Sequence, residues 1–125
     1  MIPYSRQYID LADIKAVVKT LKSKFLTQGK NIDKFEKTIS KYTNSKYSVA
    51  VNSATSALHI ACLALGLKKN DYLWTVPNSF VASANCALYC NANIDFVDID
   101  INNFNISIES LENKLVIAKK KWQTS

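Results

Sequence analysis

The chain has 125 residues, enough to bury a core yet small for a two-domain enzyme. Its 48% apolar content, with only two glycines and two prolines, argues against a disordered polymer. The net charge of +6 is unevenly placed, with ten basic and four acidic side chains in residues 1–60 and six of each in residues 61–125. The early lysines recur at helical spacing (Lys15, Lys19, Lys22; Lys30, Lys34, Lys37, Lys41), as solvated helix faces do, and no aromatic-interleaved basic motif accompanies them, which argues against a nucleic-acid partner.

In chain order, Met1-Ile2-Pro3-Tyr4-Ser5-Arg6 has no apolar run of signal-peptide kind, and no later stretch approaches a membrane span. A cytoplasmic chain with no membrane partner is expected. Asp10 or Asp13 opens a first helix whose apolar stripe is Leu11, Ile14, Val17, Val18, Leu21 and Phe25. Leu26-Thr27-Gln28-Gly29-Lys30 breaks it, and Ile32, Phe35, Ile39 and Tyr42 are spaced for one face of a second helix. Strands and helices then alternate: strand Tyr47–Val51, helix Thr55–Leu65 ending at Gly66, strand Tyr72–Val76, helix Val81–Tyr89 and strand Ile94–Asp98. Ser107 is placed to cap a last helix from Ile108 towards Ala118, with Glu109 and Glu112 near its positive end. The expected organisation is α/β: a helical N-terminal segment over 1–45, a β/α core over 46–118, and an aberrant basic tail over 119–125 without apolar periodicity.

Three strands separated by two helices imply right-handed crossovers and a mostly parallel sheet covered by helices. Ligands of such sheets sit beyond the carboxyl ends of the strands, which singles out the loops Asn52–Thr55, Pro77–Val81 and Asp98–Asn102. In the first, a β-branched run stops at small polar residues and a helix starts at once. Its first N–H groups lack helical partners and form an anion site, with the hydroxyls of Ser53, Thr55 and Ser56 as further donors; an ordinary capped turn has the same pattern. The second loop offers a rigid turn, Pro77-Asn78-Ser79, and then the ring of Phe80. A phosphate cradle beside an aromatic platform suits a flat, phosphorylated ring. In the third, Asp98 and Asp100, with Asp95, read as solvated charge at a strand end rather than a metal site. His59 and Asn85 are polar residues on apolar helices, His59 reading as a helix-surface or satisfied core residue. Cys62, Cys86 and Cys90 are an odd count with no histidine at zinc-like spacing, so they read as small buried hydrophobes in a reducing compartment.

Four segments occur in a telling order: Leu26-Thr27-Gln28-Gly29, Asn52-Ser53-Ala54-Thr55-Ser56-Ala57-Leu58, Pro77-Asn78-Ser79-Phe80-Val81-Ala82-Ser83-Ala84-Asn85 and Phe96-Val97-Asp98-Ile99-Asp100. Together they make the chain resemble, over about residues 4–116, the front of the DegT/DnrJ/EryC1 family of pyridoxal-phosphate sugar aminotransferases. The resemblance implies the N-terminal part of a fold-type-I PLP-dependent transferase large domain. It also implies a homodimer in the full enzyme, a cofactor held as a Schiff base on a lysine, and transfer of an amino group from glutamate to a 4-keto-6-deoxy sugar nucleotide. Such chemistry serves cell-surface polysaccharide or nonulosonic-acid biosynthesis. Carried over by position, Ala54 and Thr55 would lie at the cofactor phosphate and Phe80 on the pyridine ring. Tyr4 and the segment Lys24, Phe25, Leu26, Thr27 would touch the substrate.

The family's Schiff-base lysine and the aspartate paired with the pyridinium nitrogen lie beyond the matched region. No lysine here stands in the matching position, so no catalytic residue is assigned and the chain alone is expected to be inactive. Two further readings stay open: a non-catalytic α/β module that binds a phosphate or nucleotide, and one half of a split enzyme. The first strand end lacks a glycine-rich loop, which counts against a dinucleotide or Walker-type binder. An unfinished sheet also predicts an exposed edge and poor solubility.

Overall fold

In the computed structural model, which describes residues 2–123, the helix boundaries follow local capping chemistry. Asp10 caps α1 (Leu11–Leu21) through a reciprocal box. Its Oδ1 accepts the amides of Ala12 at 2.7 Å and Asp13 at 3.0 Å, and Asp13 Oδ2 accepts the Asp10 amide at 3.0 Å. α2 (Lys30–Thr43) starts after Gly29, where a Cβ would stand 3.0 Å from the Phe25 carbonyl oxygen, and stops at Asn44, left-handed at φ 54°. Ser53 caps α3 (Ala54–Ala64). Gly66, at φ 78°, closes it as the sequence predicts, with the Leu67 amide on the Cys62 carbonyl and the Gly66 amide on that of Leu63. This pair of bonds needs a left-handed residue, which glycine adopts without strain. α4 (Ala82–Tyr89) closes in the same manner on Asn91. Ser107 Oγ accepts the Ser110 amide at 3.1 Å at the start of α5 (Ile108–Gln123). That helix runs past Ala118 as far as Gln123, and Thr124 and Ser125 lie outside the described residues.

Two of the three expected strands form. β1 (Tyr72–Thr75) pairs in parallel with β2 (Asn93–Phe96), in the register Tyr72 to Asn93 through Thr75 to Phe96, and α4 makes the crossover. The third expectation, Tyr47–Val51, is corrected: the segment is not a strand. No described strand lies beside it, and the Ala50 amide donates instead to Glu36 Oε1 at 2.8 Å. A strand exists only by pairing, and alternation in the sequence cannot supply the neighbour.

The chain divides into two units, Met1–Ala50 and Val51–Ser125. In the first, neither α1 nor α2 has a buried residue, and Ile14, Val17, Val18, Ile32 and Phe35 are exposed. In the second, Cys62, Cys86 and Cys90 form a small core against which Leu67 and Leu73 pack, and Ala82, Ala87, Ala92 and Val97 are buried nearby. All three thiols are free. Burial, a hydrogen bond with Cys86 and the neighbouring thiols push Cys62 up to about 11, so at neutral pH it is a protonated apolar filler, as read from the sequence.

Asp95 departs from its reading as solvated charge. Lys114 of α5 reaches across to β2, with Nζ 2.6 Å from Asp95 Oδ2 and 2.6 Å from the Phe96 carbonyl oxygen that accepts it. The same ammonium lies 5.4 Å from the centre of the Trp74 ring. These contacts tie α5 to the sheet.

Candidate functional site

α3 leads into β1 and β1 leads into α4, so in the alternating connection the N-termini of both helices fall at the carboxyl end of β1. α4 packs on both strands and on α3, and the His59 and Tyr89 rings meet across the helix pair at 5.2 Å between centroids. That contact accounts for His59 as a packing residue. The Asn52–Thr55 and Pro77–Val81 loops therefore share one end of the second unit.

At the first loop, Ser53 has extended backbone (φ −159°, ψ 157°) and its Oγ accepts the Ser56 amide at 3.1 Å. Ser56 Oγ donates to Asn52 Oδ1 at 2.7 Å and lies 2.9 Å from Ser53 Oγ. Two of the three hydroxyls proposed as ligand donors are thus engaged in building the cap. Asn52, whose part in this network the sequence reading did not single out, anchors it. Thr55 Oγ1 and the amides of Ala54 and Thr55 have no acceptor among the described residues. Those amides point out of the helix start, where the macrodipole is positive and the Ala54 methyl leaves room for close approach. Donors of this chemistry hold an anion, and a phosphate before all others.

At the second loop, the Phe80 carbonyl accepts the Ser83 amide at 3.0 Å, and Ser79 Oγ lies 2.8 Å from Ser83 Oγ. The backbone is fixed, yet the Phe80 ring is 74% exposed and takes no part in the core. A held backbone with a bare ring suits a stacking surface.

At the third loop, Asp98 Oδ1 accepts the Ile99 amide and Asp100 Oδ1 the Asn102 amide, at 2.8 and 2.7 Å. Both aspartates serve turn geometry, and no group able to hold a metal occurs among the described residues. The remaining candidates lie in the other unit. Tyr4 is exposed, and so are Phe25 and Leu26, with Lys24 Nζ 5.6 Å from the Phe25 ring centre. Lys24 and Thr27 are exposed as well. The candidate residues thus form two groups: Ala54, Thr55 and Phe80 in the second unit, and Tyr4 with Lys24–Thr27 in the first.

The sequence profile of the DegT/DnrJ/EryC1/StrS aminotransferase family matches residues 7–121. The UDP-4-amino-4,6-dideoxy-N-acetyl-beta-L-altrosamine transaminase of Campylobacter jejuni subsp. jejuni serotype O:23/36 (strain 81-176) is 47% identical over 116 residues, which are 93% of this chain and 30% of that protein. Among solved structures, Spr1654 of Streptococcus pneumoniae, described as a sugar aminotransferase and seen in its PLP form, superposes with a TM-score of 0.85 at 31% identity, over 90% of this chain and 29% of that one. The E. coli GDP-4-keto-6-deoxy-D-mannose-3-dehydratase with bound hydrated PLP gives 0.83 at 32% identity, over 89% and 30%. The chain therefore spans about 30% of the length of the relatives it matches. Its α/β fold, with parallel strands and covering helices, is that of part of a PLP-dependent sugar aminotransferase.

Proposed function

The chain belongs to the DegT/DnrJ/EryC1/StrS aminotransferase family, and from that premise we propose that it is the cofactor-phosphate-binding N-terminal portion of a PLP-dependent sugar-nucleotide transaminase. In the complete enzyme an amino group passes from glutamate to a 4-keto-6-deoxy sugar nucleotide, in the cytoplasm and within a homodimer. The 47% identity to the Campylobacter jejuni transaminase supports the 4-keto precursor of an altrosamine-type sugar nucleotide as the first substrate to try, and with it pseudaminic-acid synthesis.

The observation that carries this reading is the pairing of two features at one end of the sheet. The amides of Ala54 and Thr55 have no acceptor among the described residues, and Phe80 presents a bare ring from a fixed backbone. A phosphate dianion answers the first and a planar pyridine ring the second, so the residues present fit pyridoxal phosphate. Bound there, the cofactor supplies the electron sink for amino-group chemistry. Ala54 and Thr55 hold the phosphate, with Thr55 Oγ1 as a third donor, and Phe80 orients the ring. Tyr4 and Lys24–Thr27 contact the substrate.

On this reading none of the described residues at the cradle is a base able to move the proton between carbons. The resemblance places the family's cofactor lysine beyond the matched region, and Lys114 is engaged with Asp95 and the Phe96 carbonyl. Pyridoxal phosphate added to the purified chain should bind, with a shift in its absorbance, and should not be trapped by borohydride. A stoichiometric adduct on one lysine would refute the inactive reading, and no binding at all would refute the cradle.

A further inference from the structure

The net charge of the chain belongs to its first unit. Residues 1–50 hold ten basic and four acidic side chains, a balance of +6, while residues 51–125 hold six of each. Three of those four acids serve the backbone instead of the lysines. Asp10 and Asp13 accept the amides that cap α1, and Glu36 Oε1 accepts the Ala50 amide at 2.8 Å.

Within that unit the charge is ordered. Lys30, Lys34, Lys37 and Lys41 follow one another along α2 at intervals of four, three and four residues, and all four are exposed. At 3.6 residues per turn they fall within an arc of about 60° and run about 16 Å along the helix. Asp33 borders the stripe and offsets one charge of the four. Ile32, Phe35 and Ile39 take the opposite side, the one a protein buries, so the lysines face solvent whatever packs against that side. The shape of the stripe selects its partner. A nucleoside diphosphate is held by donors that converge on two phosphates, whereas these side chains leave one helix side by side, about 5–6 Å apart at Cβ. Nucleic acids are clamped by bidentate arginine and stacked aromatics; the one arginine, Arg6, lies outside α2, and no aromatic interrupts the stripe. A straight row of compact ammonium charges matches a plane of anionic headgroups.

We propose that the lysine face of α2 docks on an anionic phospholipid surface. The contact is electrostatic and peripheral, since among the described residues no helix is long and apolar enough to cross a membrane. Each lysine brought within a Debye length of the headgroups strengthens binding about fivefold, and the four act together. The inference is independent of cofactor binding, whose candidate residues Ala54, Thr55 and Phe80 lie in the second unit.

The test is co-flotation of the full chain with vesicles of equimolar phosphatidylglycerol and phosphatidylcholine at about 0.15 M salt, with pure phosphatidylcholine vesicles as the neutral control. Binding to the anionic vesicles alone is expected, and it should vanish at about 1 M salt, where charges are screened within about 3 Å. Lys34→Gln with Lys37→Gln takes two charges from the stripe and should weaken binding more than tenfold. Lys68→Gln with Lys69→Gln takes the same charge from the second unit and should change it less than twofold, with the far-ultraviolet dichroism of both variants unchanged. A wild-type chain that ignores the anionic vesicles, or floats equally with the neutral ones, overturns the proposal. So do equal losses from the two pairs, which would make binding a matter of net charge alone. Homopolymer RNA that strips the chain from the vesicles at equal phosphate concentration overturns it too, and would assign the stripe to nucleic acid.

Discussion

Replacing Ser53 by aspartate separates the stability of α3 from its use as an anion site. Aspartate is as good an N-cap as serine, so its carboxylate can take over the Ser56 amide that Ser53 Oγ accepts at 3.1 Å, and the helix should melt within about 0.5 kcal/mol of wild type. The same carboxylate stands beside the amides of Ala54 and Thr55, where the phosphate is placed. Ser53 and Ala54 are exposed, so the dielectric is close to that of water and each charge pair a few ångströms apart repels by about 1 kcal/mol. A phosphate carrying about −1.5 to −2 charges at pH 7 then loses about 1.5–2 kcal/mol, roughly a ten- to thirtyfold weaker dissociation constant. Ser53→Ala should do the reverse: about 1 kcal/mol less stable through loss of the cap, with most of its anion affinity kept once folded. Thermal melts by circular dichroism read the first quantity and titration with pyridoxal phosphate in low salt reads the second. If Ser53→Asp bound the cofactor as tightly as wild type while folding normally, the phosphate would not lie at the start of α3.

Two further outcomes follow from burial. Phe80→Ala removes an exposed ring, so stability should move by less than about 0.5 kcal/mol while pyridoxal-phosphate affinity falls by about two- to tenfold; a large loss of stability would make Phe80 a core residue. Cys62 is held at about 11, above an ordinary thiol, because burial and its hydrogen bond with Cys86 favour the neutral form. Its contribution to stability is complete below about pH 8.5, where the unfolded thiol is still protonated, and is lost as pH rises from there towards 11. Denaturant melts between pH 8 and 11 read this, and Cys62 should react with a thiol reagent at pH 8 only on unfolding.

Local chemistry made much of this fold legible from sequence. Asp10, Ser53, Gly66 and Ser107 act within four residues of themselves, so the helix ends could be read one at a time. Tyr47–Val51 has the composition of a strand but no pairing strand among the described residues, and a property of two segments cannot be read from one. Lys114 and Asp95 are far apart in sequence, and nothing in either neighbourhood announces that a side chain of α5 reaches β2. At the site, small residues and a helix start pointed to free N–H groups, and the family resemblance named Ala54 and Thr55 among them. The geometry then engaged Ser53 and Ser56 in the cap itself, because Ser53 Oγ accepts the Ser56 amide and Ser56 Oγ donates to Asn52 Oδ1. Asp98 and Asp100 look like a carboxylate pair on paper, and one oxygen of each accepts an amide of its own turn.

The central claim is that the two amides at the start of α3 receive the phosphate of the cofactor. Amide nitrogen–proton spectra of the isotopically labelled chain, titrated in parallel with pyridoxal phosphate and with pyridoxal, test it directly because the two ligands differ only in the phosphate. The Ala54 and Thr55 amides are expected to shift downfield with pyridoxal phosphate and to stay in place with pyridoxal. Equal shifts with both ligands, or shifts confined to residues away from Asn52–Ser56, would contradict it.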